Sequence, residues 1–207
     1  MSHKEKKLAN QGFSTIELLV VMALIIVVVS AAAGIFLYVS RVQKRIMANQ
    51  RVQGSVRFAL ETLVRDLHSS EIDYDYYNQA GLDLIESDGV TVVAVEILAL
   101  RDSSYQPVLY RKNSDTLEVC RGLSCFTEAG TWSAILSDDV QVVSIKYYIV
   151  PGVDPFEPCS GAACVTLPSE QPRVTLAFTA QSKDPEPGTS PTVLWLQTTI
   201  VSRSYRR

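Results

Sequence analysis

The hydrophobic pattern divides the first 70 residues into two halves. Between Glu17 and Arg41 lie 23 residues, Leu18–Ser40, without a single charge. As an α-helix this run would be roughly 34 Å long, enough to cross the ~30 Å hydrocarbon core of a bilayer. From Arg41 onward, apolar residues recur at steps of three and four with charged residues between them, which is typical of an amphipathic helix. The sequence therefore predicts one helix from about Ser14 to about Leu67.

A second pattern, typical of β-strands, begins after residue 89. Six runs are dominated by β-branched and aliphatic residues and separated by segments rich in turn-forming residues. These runs are Thr91–Leu100, Val108–Arg111, Thr116–Cys120, Val140–Val150, Arg173–Ala180 and Val193–Val201. The stretch Glu71–Gly89 is rich in Asp, Asn, Tyr and Gly, and it predicts a connecting loop.

These elements predict an α+β fold. The amphipathic half of the long N-terminal helix is expected to pack on an antiparallel β-sheet of about five to seven strands. A chain of 207 residues is long enough for one globular unit with an appendage. We expect four segments: a basic head (1–12), an apolar half-helix (13–40), an amphipathic half-helix (41–69) and a β-rich globular domain (70–207).

The charge distribution indicates an orientation in the membrane. The first twelve residues carry a net charge of +2, whereas the whole chain carries a formal net charge of -3. Positive charge before an apolar run is retained in the cytoplasm, so the domain that follows is expected on the far side of the membrane. Three arginines near the C-terminus are interpreted as a solvated end. The acidic balance predicts no nucleic-acid partner.

Four cysteines form two pairs of identical spacing, Cys120/Cys125 and Cys159/Cys164. An even number in a chain sent across a membrane favours disulfides, which persist in an oxidising compartment such as the bacterial periplasm. Three connectivities are possible, and the two local pairs are favoured because each closes one short loop. Free buried thiols and a zinc site are the competing interpretations, but for zinc the spacing and the lack of nearby histidine match metal sites poorly.

Glu17 is a carboxylate at the head of a membrane helix. Such a group costs about 2.5–3.5 kcal/mol if placed at the bilayer centre, so it needs a partner. A free amine on Phe13 of a neighbouring copy could neutralise it. Removing one partner of a buried ion pair leaves the other charge buried and unpaired. The pair is therefore expected to determine the stagger between subunits more than to increase their affinity.

The segment from Gly12 through Phe13 to Glu17 resembles the cleavage site of type IV prepilins. That site has a short basic leader ending in glycine, then phenylalanine, then glutamate at the fifth mature position. In that family a membrane aspartyl peptidase cuts after the glycine and methylates the new amine. The resemblance implies cleavage between Gly12 and Phe13, N-methylation of Phe13, an assembly role for Glu17, and the type IV pilin-like fold.

Further segments are similar to W-like minor pilins and J-like minor pseudopilins, notably Arg57–Glu61 near the helix end, Asp139–Gln141 and Arg173–Leu176. This similarity implies a minor structural subunit of a type IV pilus or of a type II secretion pseudopilus. Such a subunit helps to initiate filament assembly near the tip. Its implied partners are other minor pilins or pseudopilins, the prepilin peptidase and the inner-membrane assembly platform. Its implied location is the bacterial inner membrane and then the filament.

Two alternatives remain open. Ser30–Gly34 resembles a signal-peptide cleavage site, and cleavage near Ala33 would release a periplasmic binding or catalytic domain. Within the filament class, the chain could be a major pilin. An enzyme is not expected, because the sequence has no Gly-x-Ser-x-Gly segment and no phosphate-binding loop. No catalytic residue, metal ligand or cofactor is therefore predicted.

Overall fold

A computed structural model describes residues 14–126, 130–155, 171–183 and 191–202. Its first element is a 55-residue helix, α1 (Thr15–Ser69), which confirms the predicted long helix to within two residues at either end. No proline interrupts this part of the sequence. The carboxylate of Glu17 lies in the first turn, where it complements the positive end of the helix dipole.

The chain divides into two compact units, residues 1–46 and 47–207. In the first unit, every residue from Thr15 onward is helical, and all of them except Ser40 are exposed. Within the described residues, one helix is apolar and long enough to cross a membrane, judged by length and composition alone. This finding is consistent with a membrane-anchored chain.

The second unit contains the last turns of α1 and two antiparallel β-sheets. The buried residues of the helix recur at steps of three and four, and each is at most 3% exposed. They are Val52, Val56, Ala59, Leu63 and Leu67. Around Ala59 and Leu63 the helix faces Leu117 and Leu176, one from each sheet. The α+β class with a helix packed on antiparallel sheets is therefore confirmed.

The first sheet has five strands in the order β1-β3-β4-β5-β6, and the second has four in the order β2-β7-β8-β9. All neighbouring strands are antiparallel. In chain order the strands are β1 (Glu71–Ile72), β2 (Ala94–Val95), β3 (Ile97–Arg101), β4 (Pro107–Asn113), β5 (Thr116–Arg121), β6 (Trp132–Ala134), β7 (Val140–Val150), β8 (Arg173–Ser182) and β9 (Val193–Val201).

The number of sheets differs from the expectation of a single one. The predicted run Thr91–Leu100 is divided at Glu96: β2 pairs with β7 in the second sheet, and β3 pairs with β4 in the first. A continuous apolar run shows that a segment is buried, but it does not show which neighbours each part pairs with. The short strand β6 has no strand pattern of its own and was not predicted.

The prediction of a loop over Glu71–Gly89 is wrong in its first part. This stretch contains β1 and a short helix, α2 (Tyr74–Ala80). The side chain of Asp73 accepts a hydrogen bond from the backbone N–H of Tyr76 and caps the start of α2. Gly81, at a φ of 63°, ends the helix in the left-handed conformation that glycine adopts without strain. Both capping signals are present in the sequence.

Candidate functional site

The first candidate site is the start of α1. The backbone N–H of Leu18 donates to the carbonyl of Ser14 at 3.2 Å, so the helix is formed from its first turn. Glu17 is exposed there and is the only charged residue between Thr15 and Ser40. The predicted cleavage residues Gly12 and Phe13 lie outside the described residues, so their processing stays a prediction.

An unbroken apolar surface follows Glu17. The large apolar side chains between Ile16 and Val39 are each 43% to 71% exposed, and they point in all directions around the helix. A helix that is apolar all round needs an apolar environment, either lipid or other helices. A single carboxylate at one end of such a surface can bind one cationic group, and the surface itself can bind apolar neighbours.

The second unit fixes its part of α1 through a polar cluster. Asp66 accepts a hydrogen bond from the Tyr110 hydroxyl at 2.5 Å, and it also pairs with the Arg121 guanidinium. Tyr110 is fully buried. Burial raises the pKa of the Tyr110 phenol, and the hydrogen bond to Asp66 raises it further. This cluster joins the helix to β4 and β5, and sequence reasoning had not singled it out.

A disulfide joins Cys120 and Cys125 directly beside this cluster. Cys120 lies in β5 and Cys125 in a 3₁₀ turn over Leu123–Phe126. The structure thus contains the first of the two predicted local pairs. The second pair, Cys159 and Cys164, lies outside the described residues. The turn presents Leu123 and Phe126 to solvent, and the ring of Phe126 stacks with that of Tyr76.

Helix α2 is held to the first sheet by polar contacts of Arg101 and Tyr77. The guanidinium of Arg101 lies 2.9 Å from Asp73 and 3.0 Å from Asp75. Burial alone would lower the pKa of Arg101, but the charges of Asp73 and Asp75 outweigh it and raise the pKa. The Tyr77 hydroxyl donates to the carbonyl of Ile97 and accepts from the N–H of Ala99. Burial raises the pKa of Tyr77.

The first sheet also holds one of the two tryptophans of the chain. The Arg111 guanidinium of β4 lies 3.7 Å from the ring centroid of Trp132 in β6. The same side chain forms an ion pair with Glu118 of β5 at 3.1 Å. These contacts cross three neighbouring strands and hold the short strand β6 in place.

A groove between residues 81–87 and 93–97 is lined by Asp83, Glu86 and Glu96 among apolar side chains. No group of three or more His, Cys, Asp or Glu side chains in the described segments is placed to hold a metal ion. Comparisons of the chain with models of protein families, with curated proteins and with solved structures found no match.

Proposed function

We propose that this chain is a minor structural subunit of a type IV pilus or a type II secretion pseudopilus. The observation that carries the proposal is the position of Glu17, in the first turn of a helix whose next 23 residues carry no charge. Two further features support it: the Gly12-Phe13 motif before that helix, and a second unit in which helix residues pack on antiparallel sheets.

In the proposed mechanism, prepilin peptidase removes residues 1–12 and methylates the amine of Phe13. The apolar half of the helix then holds the subunit in the inner membrane. Glu17 forms an ion pair with the N-terminal amine of a neighbouring subunit. Any other stagger between the two helices would leave this carboxylate unpaired in an apolar environment, so the ion pair selects one register. Subunits joined in this way initiate a filament at its tip.

The disulfide is consistent with the proposed location of the second unit. A disulfide such as Cys120–Cys125 is favoured in an oxidising compartment, and the bacterial periplasm is one. The basic residues before the helix favour the same topology, because positive charge stays in the cytoplasm. The apolar helix therefore provides both the membrane anchor and the contacts to other pilins or pseudopilins.

Mass spectrometry of the mature N-terminus tests the processing step. A chain that begins with N-methylated Phe13 is the expected result. A chain that begins at Gly34 would overturn the proposal and would favour a secreted periplasmic domain. Counting copies in sheared filaments separates a minor subunit, expected at a few copies, from a major pilin.

The assembly step is tested by Glu17→Gln, which keeps the size of the side chain and removes its charge. We expect this variant to be cleaved and membrane-bound but to enter filaments at a much lower level. Glu61→Gln is the matched control, because Glu61 is an exposed glutamate on the same helix whose ion pair in the described part of the chain is with Arg57, at 2.8 Å. Equal incorporation of both variants would contradict the proposed role of Glu17.

A further inference from the structure

As far as the chain is described, the two sheets have four edge strands, and one of them differs from the others. Strands β1 and β2 have two residues each, and β6 has three. Strand β9 has nine residues and, within the described part of the chain, pairs with β8 alone. Short edge strands are one way in which proteins avoid unwanted pairing. Three edges are protected by their length and β9 is not.

Strand β9 also lacks chemical protection. Its sequence, VLWLQTTIV, contains no charged residue and no proline, the residue types that usually keep an edge unpaired. Nine residues of antiparallel strand extend about 30 Å. Roughly half of the backbone N–H and C=O groups of such a strand point away from its neighbour, where they can pair with a further strand.

The exposed face of β9 is rich in apolar area. Trp195 is 77% exposed, and Val193 and Val201 are 39% and 40% exposed. An exposed tryptophan on an uncharged strand is typical of a protein contact surface. On the opposite face, Leu194 is only half-buried against the core, so a neighbouring strand would cover it further.

We propose that β9 pairs antiparallel with β9 of a second copy of this chain, around a twofold axis at Gln197. A twofold interface requires a strand that is complementary to itself. The pairs in this register are Val193 with Val201, Leu194 with Ile200, Trp195 with Thr199, and Leu196 with Thr198. Every pair joins aliphatic, aromatic or β-branched residues, the combinations that stabilise neighbouring strands. Because β9 contains no charged residue, this register places no like charges opposite each other.

The charges next to β9 in the sequence favour antiparallel over parallel pairing. Residues 203–207 contain three arginines, whereas residues 183–190 contain one lysine and two acidic residues. In an antiparallel pair, the sequence after β9 in one copy and the sequence before it in the other continue from the same end of the strands. Opposite net charges then follow the paired strands in the sequence at each end, whereas parallel pairing would leave the arginines of both copies after the same end.

The pairing is independent of the proposed filament function, because it depends only on the second unit. It is tested in the full-length chain in membrane vesicles with the variant Gln197→Cys. Residues opposite each other in antiparallel strands have Cα atoms about 4.5 or 5.5 Å apart, and both distances permit a disulfide. Mild oxidation is expected to produce a covalent dimer that reduction converts back to monomer.

Thr199→Cys is the matched control, because Thr199 is also exposed on the same face of β9. In the proposed register, the two copies of residue 199 are four residues apart along the strands, about 14 Å. This variant alone is therefore expected to remain monomeric. Mixed with a Trp195→Cys chain carrying a different tag, it is expected to form the mixed dimer. Equal cross-linking of Gln197→Cys and Thr199→Cys would overturn the register.

Absence of any Gln197→Cys dimer would overturn the proposal itself, and it would mean that another segment or another protein covers the edge. A second measurement compares Gln197→Lys with Gln197→Thr. Lysine places two like charges on the twofold axis and is expected to raise the dissociation constant of the dimer by up to about fivefold. Threonine is expected to leave it nearly unchanged. Equal dimerisation of the two variants would contradict pairing through β9.

Discussion

Asp66 of α1 and Tyr110 of β4, 44 residues apart in the sequence, share a hydrogen bond of 2.5 Å. The hydroxyl is buried, and the carboxylate is only 18% exposed. This contact adds a directional link between the helix and the first sheet, because a hydrogen bond depends on orientation whereas the surrounding apolar contacts do not.

The first prediction concerns this contact. Asp66→Ala leaves the buried Tyr110 hydroxyl without its acceptor and should lower the free energy of unfolding by about 1–3 kcal/mol. Tyr110→Phe removes the hydroxyl but leaves Asp66 paired with Arg121, so we expect a loss of about 0.5–1.5 kcal/mol. Urea unfolding of the purified full-length chain measures both. A larger loss for Tyr110→Phe would contradict the assigned roles.

The second prediction concerns the buried face of α1. Leu63 is 1% exposed, and truncation to alanine should lower the free energy of unfolding by about 2–5 kcal/mol because it leaves a cavity under the helix. Phe58→Ala is the control, because Phe58 is 57% exposed on the same helix. Its effect should stay within about 0.5 kcal/mol. Similar losses for both variants would mean that the helix face is wrongly assigned.

The third prediction concerns the disulfide. The double variant Cys120→Ala/Cys125→Ala removes a bond that closes a loop of only a few residues, so the unfolded chain gains limited freedom. The chain-entropy relation gives a loss of about 2 kcal/mol, and chemical denaturation measures it. Alkylation of the unreduced, unfolded wild-type chain should leave both cysteines unmodified. Labelling of either one would show that the bond is not formed.

The fourth prediction is a loss of stability in alkali. Burial raises the pKa of Tyr77, of Tyr110 and of Tyr147 above the ordinary phenol value of 10.0. Below pH 10 both folded and unfolded chains keep these protons. Above pH 10 the unfolded chain releases protons that the folded chain retains, so stability falls as the pH rises. Each such tyrosine contributes a slope of up to about 1.4 kcal/mol per pH unit.

Tyr147→Phe serves as the control for this pH dependence. The Tyr147 hydroxyl is fully buried and has no hydrogen-bond partner among the described residues, so its removal should leave stability at pH 7 unchanged or slightly higher. The slope above pH 10 should decrease by the contribution of one tyrosine. Urea midpoints measured across this range test both statements, and an unchanged slope would count against the buried position of Tyr147.

The long elements could be predicted from the sequence because each has a sustained pattern. The helix needed only the uncharged run after Glu17 and the three- and four-residue steps that lead to Leu67. Strands β7 and β9 begin and end at the residues predicted for them. In these segments, the local secondary-structure propensity and the burial in the folded protein favour the same structure. A sequence pattern predicts an element well when these two agree.

The division into two sheets could not be predicted, because strand pairing depends on residues far apart in the sequence. Val95 pairs with Tyr147, whereas Leu98, three residues later, pairs with Tyr110. The contact of Asp66 with Tyr110 is of the same kind. The sequence does place the acidic residue Asp66 next to Leu67, on the buried side of the helix. It does not predict that Tyr110 is the hydrogen-bond partner of Asp66.

The two tryptophans lie in different surroundings, so the intrinsic tryptophan fluorescence of the protein can report on two regions. Trp132 lies beneath the Arg111 guanidinium in the first sheet, whereas Trp195 projects into solvent from β9. A soluble quencher should therefore reach Trp195 far more readily than Trp132. The unquenched emission of Trp132 then reports whether the first sheet is folded. Quenching of Trp195 reports whether β9 is covered, and neither measurement needs an added label.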